Sequence, residues 1–170
     1  HSYLAYIASI EELAKHCSTT SVMLSDHHSL GAFPISEFGT EEQKQKYLVP
    51  LLKGEKLGAF AVTEPSAGSD LGNQKTTAVD KGDYWLLNGA KIFITNGFYA
   101  DTYFVTAVTD KSQRNRGISA FIVEKGTPGF TFGTKEKKMG IRGSATYELV
   151  FQDCKIPKEN LLGELGKGFK

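Results

Sequence analysis

The distribution of glycine divides the chain into two parts with different periodicity. Only three of the 18 glycines precede Gly58. Before Leu57, apolar residues recur at the spacing of amphipathic helices, whereas after it they fall in short runs bounded by turn residues. The sequence therefore predicts a helical part, residues 1–57, followed by a β domain, residues 58–157.

Helical signals in the first part are strongest at its end. Thr40 and Gln43 have the spacing of a capping box, so a helix is predicted to begin there and to end at Lys53-Gly54. An earlier helix is predicted to open at 18–20, where hydroxyl side chains can cap amides, and to end at Gly31 ahead of a proline. The first helix, near residue 1, shows no cap, which indicates missing sequence upstream.

Strand signals dominate the second part. Runs of β-branched and aromatic residues predict strands at 60–62, 75–79, 84–87, 91–94, 103–108, 118–124, 130–132 and 147–151. Asn88-Gly89 predicts a type I′ hairpin between two of them. Because helices precede strands without alternating with them, the predicted class is α+β, with an antiparallel sandwich or barrel, and a Rossmann fold is excluded.

Charge and composition exclude several function classes. The formal charge is only +1, which gives no general attraction to nucleic acid or an anionic membrane. No apolar run approaches the roughly 18 residues that a membrane-spanning helix needs. His27-His28 are adjacent and diverge on a helix, so no metal site is predicted. Cys17 and Cys154 are interpreted as reduced thiols.

The loop at 63–70, Thr-Glu-Pro-Ser-Ala-Gly-Ser-Asp, is the first candidate site. Pro65 stiffens its start and Gly68 permits backbone angles closed to other residues, so hydroxyls and free amides can face a ligand. From the residues alone, a ligand-binding loop and a turn whose polar side chains bind no ligand are equal alternatives. Glu64 is interpreted as a structural hydrogen-bond acceptor and not as a general base.

Five motifs in order resemble the acyl-CoA dehydrogenase family over nearly the whole chain. They are 24–31, 38–44, 61–70, 88–97 and 138–144, and their residues are most similar to the short-chain, butyryl-CoA branch. The resemblance implies a fragment with part of the N-terminal helical domain at 1–57, the middle β domain at 58–157, and 158–170 entering an absent C-terminal helical domain.

The resemblance also implies a set of cofactor contacts. The residues expected to bind FAD are Phe60, Val62, Thr63, Gly68, Ser69, Phe93, Ile94 and Thr95. Ser69 would also touch the acyl-CoA. Many relatives have Trp at the position of Phe93, so the aromatic face is kept and the indole N–H is lost.

A basic loop, residues 111–116, has two interpretations. In the first, it is a solvated connection between two strands. In the second, Asn115 and Arg116 bind the CoA nucleotide of the substrate, and the Arg116 guanidinium donates two hydrogen bonds to a phosphate.

The activity that the resemblance implies is α,β-dehydrogenation of a short acyl-CoA to the trans-2-enoyl-CoA, with electrons passing to an electron-transferring flavoprotein. No acidic residue matches the family's catalytic base, so no catalytic residue is assigned, the base is expected outside the chain, and the fragment by itself is expected to be inactive. The parent is expected to be a homotetramer or homodimer in bacterial cytoplasm or the mitochondrial matrix. A non-catalytic flavin or CoA-ester binding module and an acyl-CoA oxidase-like enzyme stay open as alternatives.

Overall fold

Helices occupy the first third of the computed structural model, which describes residues 2–169. Their bounds are α1, Tyr3–His16; α2, Ser18–Asp26; α3, Phe33–Phe38; α4, Glu41–Gln43; and α5, Val49–Leu52. Two π-helical segments, His27–Ala32 and Lys44–Leu48, join α2 to α3 and α4 to α5. The capping box is confirmed, since the Gln43 amide donates to Thr40 Oγ1 at 3.2 Å and the Thr40 amide donates to Gln43 Oε1 at 3.1 Å.

The predicted end of the second helix at Gly31 is wrong, because helical structure continues to Phe38. Pro34 lies in the first turn of α3, where the wider π-helical turn before it accommodates the missing N–H. Gly31 instead allows close packing: a Cβ there would lie 3.0 Å from backbone atoms of Gly58. The predicted hydroxyl cap is also absent, because Cys17 precedes the helix and makes no capping hydrogen bond.

Eight strands follow the helices within the described residues. Their bounds are β1, Gly58–Ala61; β2, Thr77–Asp80; β3, Tyr84–Thr95; β4, Thr102–Val108; β5, Ile118–Glu124; β6, Phe130–Lys135; β7, Thr146–Pro157; and β8, Leu161–Leu162. They form one sheet in the order β6-β7-β3-β2-β4-β5-β8, with β1 on β4. The predicted antiparallel pairing is confirmed for most of the sheet, but β1 and β2 each pair with β4 in parallel.

The predicted hairpin at Asn88-Gly89 is wrong, because β3 runs through it as one strand of 12 residues. Antiparallel pairing with β7 continues on both sides, with a register shift between Leu87 and Gly89. Asn88 accepts a hydrogen bond from the Asp153 amide at 2.8 Å, and Gly89 takes a φ of 146°. The extra residue of this bulge lies in β7, where Gln152 and Asp153 together oppose the single residue Asn88.

Two apolar cores lie on opposite sides of β1, β4 and β5. One is inside the folded sheet and contains large side chains such as Trp85, Phe121 and Leu149. The other joins Ile35, Tyr47 and Leu51 of the helices to the opposite strand faces. Because strand side chains alternate, Phe60 and Phe104 face this second core, where their rings stack at 4.8 Å. The helices thus cover the strand face from which Phe60 projects.

His27 links the helices to β1 through both ring nitrogens. Its Nδ1 accepts from the Gly58 amide at 3.0 Å, and its Nε2 lies 3.1 Å from the Leu51 carbonyl oxygen, to which it donates. This pattern requires the neutral ring protonated on Nε2. Burial is the main reason that the pKa of His27 is lowered.

We expect His27 protonation to destabilise the fold at mildly acidic pH. The pKa of His27 in the folded state is below the unfolded value of about 6.5. Neutral His27 therefore contributes its full stabilisation above about pH 6.5, and this stabilisation is lost as the pH falls towards the folded pKa. At pH 5 the loss is at most about 2 kcal/mol, since one pKa unit is worth about 1.4 kcal/mol. Burial raises the pKa of neighbouring Asp26 to about 7, so its protonation opposes the effect.

The measurement compares thermal midpoints at pH 7.5 and 5 in an Asp26→Asn background, with and without His27→Asn. Asn can replace the Nδ1 acceptor but does not titrate. Equal pH dependence in the two proteins would contradict this role for His27.

Candidate functional site

The loop after β1 is organised around the buried carboxylate of Glu64, which is 4% exposed. The backbone amides of Lys75 and Thr76 donate to this carboxylate at 2.6 and 3.1 Å. The Glu64 amide and carbonyl also pair with Ala67, both at 3.0 Å. The interpretation of Glu64 as a structural acceptor is therefore confirmed, and the turn between Glu64 and Ala67 is held at both ends.

Lys91 of β3 lies beneath this loop, with its side chain fully buried. Its ammonium donates to Glu64 Oε1 at 2.7 Å, to Gln74 Oε1 at 2.8 Å and to the Val62 carbonyl at 3.0 Å. Burial lowers the pKa of Lys91 to about 8, and the Glu64 charge opposes the shift. Burial alone would raise the pKa of Glu64, but the Lys91 charge and the hydrogen bonds outweigh it and keep that pKa low. The two groups form an ion pair at neutral pH.

A bulge in β3 itself presents Phe93, the aromatic residue of the 88–97 motif. The register with β7 shifts between Lys91 and Ile94, and Phe93 adopts a φ of 60° with its side chain 59% exposed. A bulky residue at positive φ is a strained exception, and such strain clusters at functional sites. Thr95 is half-buried, but the Ile94 side chain is 2% exposed and faces the sheet core. Ile94 therefore has only its backbone to offer a ligand.

The 61–70 and 88–97 motifs meet directly. The Ile92 amide donates to the Thr63 carbonyl at 2.9 Å, one residue from Phe93. Ser69 and Gly68 lie on the exposed part of the loop, and nothing lies within 4 Å of the position of a Cβ on Gly68. A ligand can therefore approach the backbone at this point.

A cavity of about 840 Å³ opens between the helices and the sheet. Its walls include Phe60 of β1, Val62 of the 61–70 motif, and Leu30 and Phe33 of the helical part. Most of the lining is apolar, while Gln74 and other polar side chains form a smaller part of it. Such a lining suits a planar or acyl ligand held by a few polar groups.

The basic loop, residues 111–116, lies next to the C-terminal end of the 61–70 motif. Asn115 and Arg116 border an open pocket of about 700 Å³ together with Asp70 and Gly72. A Cβ on Gly72 would come within 2.2 Å of Asn115 Oδ1, so the two loops pack closely here. Arg114, also on the rim, has a positive φ of 48°. The structure thus brings Asn115 and Arg116 near the Ser69 loop, whereas Phe93 does not line this pocket.

Sequence reasoning missed Lys91, Gln74 and Thr106 as parts of the site. A signal is present in β3, where Trp85 and Leu87 point inwards and Lys91 stands at a later inward position of the same alternation. A lysine at an inward position requires a buried partner.

Neither a membrane span nor a metal cluster is found among residues 2–169. No helix in that range is long and apolar enough to cross a membrane. In the same residues, no cluster of three or more His, Cys, Asp or Glu side chains has the arrangement of a metal site.

Comparison with known proteins identifies the class to which this fold and loop arrangement belong. The model "Acyl-CoA dehydrogenase, middle domain" matches residues 59–154, and "Acyl-CoA dehydrogenase, N-terminal domain" matches residues 1–55. The chain belongs to the acyl-CoA dehydrogenase family.

Within that family, the chain is highly similar to short-chain members. It is 59% identical to the short-chain specific acyl-CoA dehydrogenase of Clostridium acetobutylicum, over 98% of this chain and 44% of that protein. It is 60% identical to butyryl-CoA dehydrogenase from Megasphaera elsdenii, with a TM-score of 0.96 over 98% of this chain and 44% of that one.

A third match comes from a solved structure described as "Electron transferring flavoprotein of Acidaminococcus fermentans: Towards a mechanism of flavin-based electron bifurcation". One of its chains is 61% identical with a TM-score of 0.97, over 98% of this chain and 44% of that chain. The chain therefore spans less than half the length of the relatives it matches.

Proposed function

We propose that this chain forms the flavin-facing and thioester-facing part of a short-chain acyl-CoA dehydrogenase. The observation that carries the proposal is the hydrogen-bonded Glu64 loop, which lies beside the strained and exposed Phe93. The short-chain relatives support a substrate such as butyryl-CoA. The parent reaction would remove a proton from the α carbon and a hydride from the β carbon, which leaves a trans-2-enoyl-CoA.

The residues present fit FAD, on which the family depends. Thr63, Ser69 and Thr95 supply hydroxyls, and the open backbone around Gly68 supplies amides that a ring or phosphate oxygen can reach. Phe93 supplies an exposed aromatic face for stacking. When bound, FAD would supply the acceptor for the β-hydride.

Residues of this chain would position the reactants and exclude water from them. Phe60 and Val62 form an apolar wall of the cavity, and removal of water strengthens hydrogen bonds to the thioester carbonyl. The carboxylate that takes the α-proton is expected outside this chain. Electron transfer to an electron-transferring flavoprotein is part of the proposal, supported by the match to the Acidaminococcus fermentans structure.

The test is enoyl-CoA formation by the full-length protein that contains this chain, with an artificial electron acceptor. Butyryl-, hexanoyl- and octanoyl-CoA are compared as substrates at equal concentrations. We expect turnover to be highest with the C4 ester and to require the acceptor. Turnover with oxygen alone would favour the oxidase alternative. Binding of FAD or CoA ester without turnover would favour the binding module, and binding of neither would refute the proposal.

For the CoA moiety, we expect Arg116→Ala in the full-length enzyme to raise the KM for butyryl-CoA about tenfold, because a charge-assisted hydrogen bond to phosphate is worth about 1.4 kcal/mol or more. The value of kcat should stay nearly constant, since this contact is remote from the reacting carbons. Lys111→Ala, on the same exposed loop, is the matched control. If the KM of Arg116→Ala equals that of the control, the interpretation of the loop as a solvated connection is favoured.

A further inference from the structure

Lys91 has a fully satisfied ammonium in a site without access to water. An ammonium has three donors, and Lys91 has three acceptors at 3.0 Å or less: Val62 O, Glu64 Oε1 and Gln74 Oε1. Its side chain is 0% exposed and that of Glu64 is 2% exposed. Burying such a pair gives little net stability compared with an apolar pair of the same volume. A role other than stability is therefore worth testing.

The hydrogen bond from Lys91 to the Val62 carbonyl controls the direction of the following amide. In a trans peptide, the C=O and the N–H point to opposite sides. Because Lys91 holds the Val62 oxygen towards the interior, the Thr63 N–H points away from the interior. The next carbonyl, that of Thr63, is held by the Ile92 amide at 2.9 Å. Two consecutive residues of β3 thus fix two consecutive peptides at the start of the loop.

Glu64 extends this control to the rest of the loop. The carboxylate that pairs with Lys91 also binds the amides of Lys75 and Thr76, where the chain leaves the loop. The start of the loop, through the Lys91–Glu64 pair, is therefore tied to its end.

The same ammonium fixes the polar part of the cavity wall. Gln74 Oε1 accepts from Lys91 and, at 2.8 Å, from Thr106 Oγ1. Both Gln74 and Thr106 line the cavity. Since Lys91 can only donate, it requires the carbonyl end of the Gln74 amide to face inwards, which leaves the NH₂ end as the donor for a ligand.

We propose that Lys91, paired with Glu64, is a positioning residue that holds the 62–76 loop and the Gln74 amide in the conformation that binds flavin. The proposal rests on the proposed function for the identity of the ligand. Its structural part, the ordering of the loop by Lys91, can be measured without any ligand.

The test uses the double variant Glu64→Gln/Lys91→Met, because it removes both charges and leaves no unpaired ion. The Glu64→Gln change keeps an oxygen that can accept from one of the two loop amides, and the Lys91→Met change fills the volume of the lysine stem. Lys75→Met is the matched control: it removes one positive charge from an exposed side chain of the same loop. The substitutions are made in the full-length protein. The readouts are hydrogen–deuterium exchange of its ligand-free form and its affinity for added FAD, measured by quenching of the FAD fluorescence.

We expect the double variant to remain folded, with amide exchange in 62–76 at least about tenfold faster and exchange in β4 and β5 unchanged. Its affinity for FAD should fall by at least about tenfold, the loss that corresponds to about 1.4 kcal/mol of ordering. The Lys75→Met control should resemble the wild type in both measurements.

Wild-type exchange and wild-type FAD affinity in the folded double variant would overturn the proposal. Failure of the full-length wild-type protein to bind FAD would refute the proposed function instead. In that case, unchanged loop exchange in the double variant would still refute the role of Lys91, and faster exchange would support it.

Discussion

The single substitution Lys91→Met is expected to lower the free energy of unfolding by about 3–5 kcal/mol, because it leaves the Glu64 carboxylate ionised and unpaired in the interior. Urea unfolding at pH 7 measures this loss from the midpoint, provided that the slope is unchanged. The exposed control Lys75→Met should change stability by no more than about 0.5 kcal/mol. Equal stability of the two variants would contradict the ion pair.

The pH dependence of this variant gives a second check. In the wild type, the lowered pKa of Glu64 contributes stability above its unfolded pKa, and this is lost as the pH falls. In the Lys91→Met variant, burial is expected to raise the pKa of Glu64. The contribution of Glu64 to the stability of the variant is then greatest below the unfolded pKa of about 4.3 and is lost as the pH rises. The stability difference between wild type and Lys91→Met should therefore shrink as the pH falls from 7 to 4.

Tyr103→Ala is expected to cost about 3–5 kcal/mol, the usual loss for truncating a large buried aromatic side chain. Tyr103 is 0% exposed, and its ring lies edge-on to Phe130 with centroids 4.8 Å apart. Its hydroxyl lies 2.8 Å from the carbonyl oxygens of Gly97 and Ala100, in the turn that follows the Phe93 strand. Tyr103 therefore holds the C-terminal end of the 88–97 motif from the core side.

Tyr103→Phe separates the hydroxyl from the ring. It keeps the aromatic packing and removes only the hydrogen bond, so a loss of about 1 kcal/mol is expected. Thermal and urea unfolding of both variants measure the two contributions. A Phe variant as unstable as the Ala variant would show that the buried carbonyl oxygens, and not the packing, dominate this site.

Local signals in the sequence are sufficient wherever the partner lies a few residues away. The Thr40–Gln43 capping box is confirmed because both of its hydrogen bonds are local. The strand Ile118–Glu124 has the predicted bounds because both of its ends adjoin turn residues. The prediction that Glu64 is an acceptor is also correct, although the groups that donate to its carboxylate lie 11, 12 and 27 residues away and could not be named from the turn beside it.

Long-range partners explain the wrong and missing predictions. Asn88-Gly89 has the composition of a hairpin, but pairing with β7, where Asp153 lies 65 positions from Asn88, keeps it within one strand opposite a bulge in β7. Gly31 has the sequence context of a helix end, yet its role is contact with a strand. Lys91 has its partner Glu64 27 residues away, so no local pattern identifies their ion pair. The exposure of Phe93, a residue selected by family resemblance, depends on a bulge that only the sheet reveals.

The long pairing of β3 with β7 also has a consequence for the order of events during synthesis. β3, which carries Lys91 and Phe93, emerges from the ribosome well before residues Thr146–Pro157 of its main partner. Contacts of such large sequence separation slow folding, because a long loop must close first. Until β7 has been made, one edge of β3 is unpaired and open to wrong partners. The candidate flavin site can therefore be completed only after β7 has been synthesised, and the nascent chain is most exposed to aggregation between the emergence of these two strands.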